Sequence, residues 1–272
     1  MSTPPTNPTN SINPANPTNP PNPANPPVSL AVLDMAGTTV VDGGLVQAAF
    51  LAALESVGIS VDDPGNPGRL QYVTDTMGQS KIVVFRHLLG NEHTAQDALA
   101  GFEHAIQGEI AAGRVRALPG AVDALASLRA AGVKVCLTTG FTGDTQQRII
   151  DQLGWNELID LALAPGPGVR GRPYPDLVLA AVMAMEIDDV RSVAVVGDTA
   201  NDLLSGHRAG AGIVAGVLTG AHDAATLAAA PHTHVLASVA DLPAAVAAHN
   251  AAAHNAAAHN KGPGGSHTPD PS

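Results

Sequence analysis

Four short apolar runs, at residues 28–33, 133–137, 193–196 and 212–218, interrupt longer stretches whose apolar positions recur at helical spacing. The runs are rich in Val, Leu and Ala, lack polar alternation, and are bounded by Gly, Asp or Thr. Such runs read as parallel strands buried on both faces. The segments 121–131, 145–153, 175–185 and 200–209 have the length and the Ala, Leu and Arg content of crossover helices. The pattern predicts an α/β fold, a doubly wound, Rossmann-like parallel sheet. Residues 158–163 read as a further strand, although Asp and Ala dilute the signal.

About 100 residues separate Asp34 from the second clear run, too many for one crossover. Within that stretch Leu45, Ala49, Ala52, Ala53 and Ser56, and later Phe102, Ile106 and Ile110, keep helical periodicity. A small helical cap inserted at 45–117 is expected over the carboxyl ends of the strands, where α/β sheets bind ligands. Leu118-Pro119-Gly120 marks the return, so the core comprises 28–44 and 118–246.

The two ends look different. Residues 1–27 hold 10 of the 22 prolines and no charge, and 247–272 read as AAHN, two copies of AAAHN and a Gly/Pro/Ser tail. Neither offers a core-forming face, and both are expected to be disordered. The middle keeps 12 basic and 23 acidic residues and so carries the whole net charge of −11. That balance disfavours nucleic acid and anionic membranes and suits a bound divalent cation. The single cysteine, Cys136, excludes an internal disulfide and, lying in a strand, reads as a small buried hydrophobe. With no apolar run of spanning length and no signal-like leader, a cytoplasmic protein is the expectation. A homodimer stays open.

The informative side chains fall at the strand ends. Asp34 ends the first run, Thr139-Gly140 follows the second, and Gly197-Asp198 follows the third. Acidic groups on neighbouring strand ends can hold Mg²⁺, a hard cation that takes oxygen ligands. Thr139, the Gly140 amide and the next helix N-terminus form an anion cradle. Arg172, in Gly171-Arg172-Pro173-Tyr174-Pro175, adds a permanent cation, and Asp202 shares a face with Asp198 if the turn between them is helical. A carboxylate nucleophile, a metal and cations for the equatorial oxygens make a phosphoryl-transfer site for a small phosphorylated or phosphonate substrate.

Asp34-Met35-Ala36-Gly37-Thr38-Thr39, Thr139-Gly140, Arg172 and Gly197-Asp198-Thr199-Ala200-Asn201-Asp202, in that order, resemble the haloacid dehalogenase superfamily of hydrolases. The resemblance implies Asp34 as a nucleophile that becomes an aspartyl-phosphate. It also implies that Asp34, the Ala36 carbonyl and Asp198 hold Mg²⁺, with Asp202 supporting the metal shell. Ordinary phosphatases of that superfamily carry a second Asp where this chain has Ala36. Without that acid, a leaving group that needs no proton is favoured, and carbon–phosphorus cleavage is such a case. The Asp-x-Ala-Gly-Thr-Thr start and Met77-Gly78-Gln79-Ser80-Lys81-Ile82 resemble the phosphonatase branch, which implies Lys81 as a Schiff-base lysine. If helix continues past Gly78, Met77 and Phe85 flank Lys81 and desolvate its amine.

The chain departs from that branch at three places. Val84 stands for a histidine, Phe141 for an aromatic hydroxyl and Gly44 for a cysteine. A phosphatase or phosphomutase acting on a small phosphate ester is the alternative reading. His87, His93 and His104 read as surface or cap-helix residues, and His249, His254 and His259 recur every five residues, off both regular periods.

Overall fold

The computed structural model describes residues 25–260, and the two end segments outside that range, for which disorder is expected, are not part of the description. Six strands form one sheet: β1 (Leu30–Asp34), β2 (Lys134–Thr138), β3 (Leu161–Leu163), β4 (Val193–Gly197), β5 (Ile213–Val217) and β6 (His234–Leu236). Their order is β3-β2-β1-β4-β5-β6, and every pairing is parallel. This is the doubly wound sheet that the apolar runs predict. β6 was not among them, because it is three residues long and half-exposed and carries a histidine.

Side chains alternate across the sheet as a strand's period of two requires. Ala31 and Leu33 of β1 join Val135, Leu137, Ala194 and Val196 on one face. Leu30 and Val32 join Cys136, Val193 and Val195 on the other. Each fully buried Leu or Val is worth on the order of 1.5–3 kcal/mol. Desolvation pushes the Cys136 thiol up to about 12, as befits an inert core residue.

Between β1 and the rest of the core lie α1 (Leu45–Ser56), α2 (Asn66–Asp75), α3 (Lys81–Leu89) and α4 (Glu92–Ala111). Phe50, Phe85 and Phe102 bind α1, α3 and α4 together, with ring centroids 4.8 and 5.0 Å from Phe50. The two linkers of this insert pair at its base. Val41 N donates to Arg116 O and Leu118 N to Thr39 O, both at 2.9 Å. The helical periodicity is not continuous, and the expected helix through Gly78 is absent. α2 stops at Asp75, Gly78 takes a left-handed φ of 85°, and Lys81 opens α3 instead of lying one turn beyond Met77.

The core continues with α5 (Ala121–Ala130), α6 (Gly143–Leu153), α7 (Asp176–Ala184), α8 (Ala200–Ala209), α9 (Ala224–Ala229) and α10 (Leu242–Asn260). α10 corrects the expectation of a structureless segment from residue 247. Its alanines have the highest helix propensity, which sustains a helix without an apolar stripe. Asn250 also accepts from Val28 N at 2.7 Å, fastening the helix to the start of the core. Among the described residues no helix is long and apolar enough to cross a membrane.

Candidate active site

The strand order reverses between β1 and β4, and a doubly wound sheet opens a crevice at the carboxyl ends of such strands. Asp34 closes β1 and Asp198 follows β4 directly, and both are buried. A tight turn after Asp34 brings the two together, with Met35 O accepting from the Thr38, Thr39 and Val40 amides. Gly37 sits in that turn at φ 84°, where a Cβ would lie 2.5 Å from Asp198 Oδ2. Thr38 Oγ1 donates to Asp198 Oδ1 at 3.2 Å, and Ala221 N donates to Asp198 Oδ2 at 2.7 Å.

Arg172 lies at the centre of this arrangement. Its Nη1 is 2.5 Å from Asp34 Oδ1, its Nη2 donates to Thr138 Oγ1 at 2.6 Å, and its Nε is 2.8 Å from Asp202 Oδ1. The other Asp202 oxygen accepts from Thr199 N and Oγ1 in a capping box at the start of α8. Asp202 therefore faces Arg172 and a helix end, and Arg172 faces carboxylates. Thr139 and Gly140 lie beside them, with Thr139 Oγ1 accepting from Phe141 N.

The insert reaches the core through the turn at residues 77–80. Gly140 O accepts from Lys81 N at 3.2 Å, and Asn201 Nδ2 donates to Met77 O at 2.8 Å. A Cβ on Gly140 would run into the Gln79 carbonyl, so glycine permits this close approach. Lys81 is 5% exposed. Its Nζ lies 5.8 Å from the Phe50 ring centroid and 5.5 Å from that of Phe141. The desolvating rings thus come from α1 and the core loop, and Met77, which lies outside α3, is not the helical neighbour the sequence suggests.

Burial lowers the Lys81 amine from 10.5 to about 8, outweighing the opposing charges of Asp34 and Asp42. Burial likewise raises Asp34 to about 6, against the attraction of Arg172 and with repulsion from Asp202. Asp198 is raised well above the usual carboxylate range by burial and then by the charges of Asp34 and Asp202. Asp34 and Asp198 are buried carboxylates at neighbouring strand ends, and their hard oxygens suit Mg²⁺. Among the described residues no three acidic, His or Cys side chains converge as a ready ligand set. Two carboxylates and the Ala36 carbonyl match an ion that keeps several waters and binds substrate oxygens.

Asp34, Ala36, Lys81, Thr139, Gly140 and Asp198 all line one cavity, together with Asp42, which the sequence reading passed over. Its signal was local: an Asp four residues before Val46, whose amide it accepts at 3.0 Å. Thr38, inside a quoted motif, and Thr138, next to Thr139, were given no role by the sequence reading. Of the departures, Val84 is buried in the core cluster, and the neighbouring His87 stacks on Tyr72 at 4.1 Å. Neither places an imidazole in the cavity.

A family model described as haloacid dehalogenase-like hydrolase matches residues 28–210. A phosphonoacetaldehyde hydrolase of Pseudomonas fluorescens is 30% identical over 253 residues, covering 81% of this chain and 92% of its own. A phosphonoacetaldehyde hydrolase-like protein from Oleispira antarctica superposes with a TM-score of 0.69 at 21% identity, covering 88% of this chain and 98% of its own. A hydrolase from Pseudomonas syringae gives 0.70 at 24% identity, with 82% and 99% covered.

Proposed function

This chain belongs to the haloacid dehalogenase-like hydrolases, and from that premise we propose that it cleaves the carbon–phosphorus bond of phosphonoacetaldehyde or a close relative. The observation that carries this reading is Lys81, a buried amine lowered to about 8 in the same cavity as Asp34. A neutral amine forms imines, and burial beside Phe50 and Phe141 keeps a usable fraction neutral near pH 7. The name of the Pseudomonas fluorescens relative supports the substrate class.

Lys81 Nζ condenses with the aldehyde and water departs. Asp34 then attacks phosphorus in line, and the carbon–phosphorus bonding pair passes into the imine to leave an enamine. No acid is needed at Ala36, since the leaving carbon is neutralised by delocalisation. Hydrolysis of the enamine frees Lys81, and water releases phosphate from the Asp34 acyl phosphate. Arg172 exchanges its carboxylate partners for phosphonate oxygens, with Thr139 and the Gly140 amide completing the cradle. Asp34, Asp198 and the Ala36 carbonyl would hold Mg²⁺, with Asp202 steadying that shell, and the ion would supply charge neutralisation for the phosphonate oxygens.

The cavity encloses about 20 Å³, room for about one water molecule. A substrate enters only when the insert swings from the core, so the insert acts as a cap whose closure delivers Lys81 and excludes water. Borohydride added to the chain with phosphonoacetaldehyde tests the reading. The expected result is a reduced adduct on Lys81 that is lost in Lys81→Arg. Brisk hydrolysis of phosphate esters with no adduct contradicts it and favours a phosphatase or phosphomutase.

A further inference from the structure

Imine formation moves protons, and the histidine and aromatic hydroxyl of the phosphonatase branch are replaced here by Val84 and Phe141. Among the described residues, the titratable side chains lining the cavity are Asp34, Asp42, Lys81 and Asp198. Asp34 is engaged by Arg172, and Asp198 by Thr38 and the Ala221 amide. We propose that Asp42 is the acid–base group that carries protons for imine formation at Lys81, an inference that rests on the amine role of Lys81.

Four observations place Asp42 for this task. It follows the paired linkers at the base of the insert, and its own carbonyl accepts from Leu45 N at 2.7 Å. Its Oδ1 accepts from Val46 N at 3.0 Å, which fixes the carboxylate at the start of α1. Its Oδ2 has no hydrogen-bond donor among the described residues, so one oxygen is free for transfer. Asp42 lines the same cavity as Lys81, and its charge is, after that of Asp34, the strongest influence favouring the Lys81 ammonium.

The proton count closes on these two residues. Asp42 takes one proton from the Lys81 ammonium, and the freed nitrogen pair bonds to the carbonyl carbon. A second N–H proton passes to the carbonyl oxygen, giving a carbinolamine. The nitrogen pair then forms the C=N bond, the C–O bond breaks, and the hydroxyl leaves as water with the proton held by Asp42. An ammonium and an aldehyde thus become a protonated imine and water, and Asp42 ends as it began.

Rapid-quench borohydride trapping with phosphonoacetaldehyde, on the full chain, reads the rate of imine formation. Asp42→Asn keeps the acceptor for Val46 N, and it is expected to slow imine formation by about 100-fold, within the usual range for losing such a group. The adduct still forms on Lys81, and formate speeds the slowed reaction of Asp42→Ala. An unchanged rate in Asp42→Asn, or Asp42→Ala at wild-type speed without formate, overturns the assignment while leaving Lys81 in place. A wild-type chain that yields no adduct overturns the amine reading and Asp42 with it.

Discussion

Arg172 Nη1 stands 2.5 Å from Asp34 Oδ1, while the same guanidinium holds Asp202 through Nε at 2.8 Å. One buried cation therefore joins the end of β1 to the start of α8. It fixes one oxygen of Asp34, and in the proposed reaction it is the group that meets the phosphonate oxygens.

Replacing Arg172 with Met leaves Asp34 and Asp202 buried without their cation. Breaking such a pair from one side costs about 3–5 kcal/mol. The urea midpoint of Arg172→Met should fall accordingly, and phosphate release should be lost. Arg172→Lys keeps the charge but not the three-way fork, so it should recover stability better than activity.

Lys81 sets a pH dependence of stability. Its folded pKa, about 8, is below the unfolded 10.5. Between these values the unfolded chain binds more protons, so stability rises with pH across that window. The amine's contribution is present above 10.5 and lost as pH falls through about 8, an order of 3 kcal/mol in all. Denaturation of Lys81→Met should show a gain over the wild type near pH 7 that shrinks toward pH 10.5. A constant difference would contradict the burial of a charged amine here.

Mg²⁺ should raise the melting temperature of the wild-type chain, because it offsets the burial, and then the repulsion, that raise Asp34 and Asp198. Asp198→Asn should abolish that increase. A shift that survives the substitution would place the ion elsewhere.

Glu103 on α4 links the insert to the core. Its Oε2 accepts from Thr142 Oγ1 at 2.6 Å and from Thr145 Oγ1 at 2.8 Å, at the start of α6. Glu103→Ala should cost about 1–2 kcal/mol in hydrogen bonding. It should also speed hydrogen exchange of the Lys81 amide, which bonds across the same seam to Gly140 O.

Much of this could be read from the chain, for identifiable reasons. Val, Leu and Ala runs buried on both faces announce β1, β2, β4 and β5, and the motif residues fall at the ends of the first three. β6 escaped because three half-exposed residues carry no period. α10 escaped because Ala repeats with His and Asn form a helix through propensity and the Asn250 contact, without an apolar stripe. The surroundings of Lys81 escaped in part because they are tertiary. Phe50 and Phe141 approach it from α1 and a core loop, and Gly78 breaks the helix that local spacing suggests. Asp42 was hidden for the same reason, since no spacing relates a linker carboxylate to a lysine 39 positions later.

The most direct test is phosphate release with Mg²⁺ from phosphonoacetaldehyde, beside a panel of small phosphate esters, for the wild type, Asp34→Asn and Lys81→Arg. The account expects phosphonoacetaldehyde to be preferred, Asp34→Asn to be inactive on everything, and Lys81→Arg to lose the phosphonate reaction selectively. Equal phosphonate turnover by wild type and Lys81→Arg would contradict it.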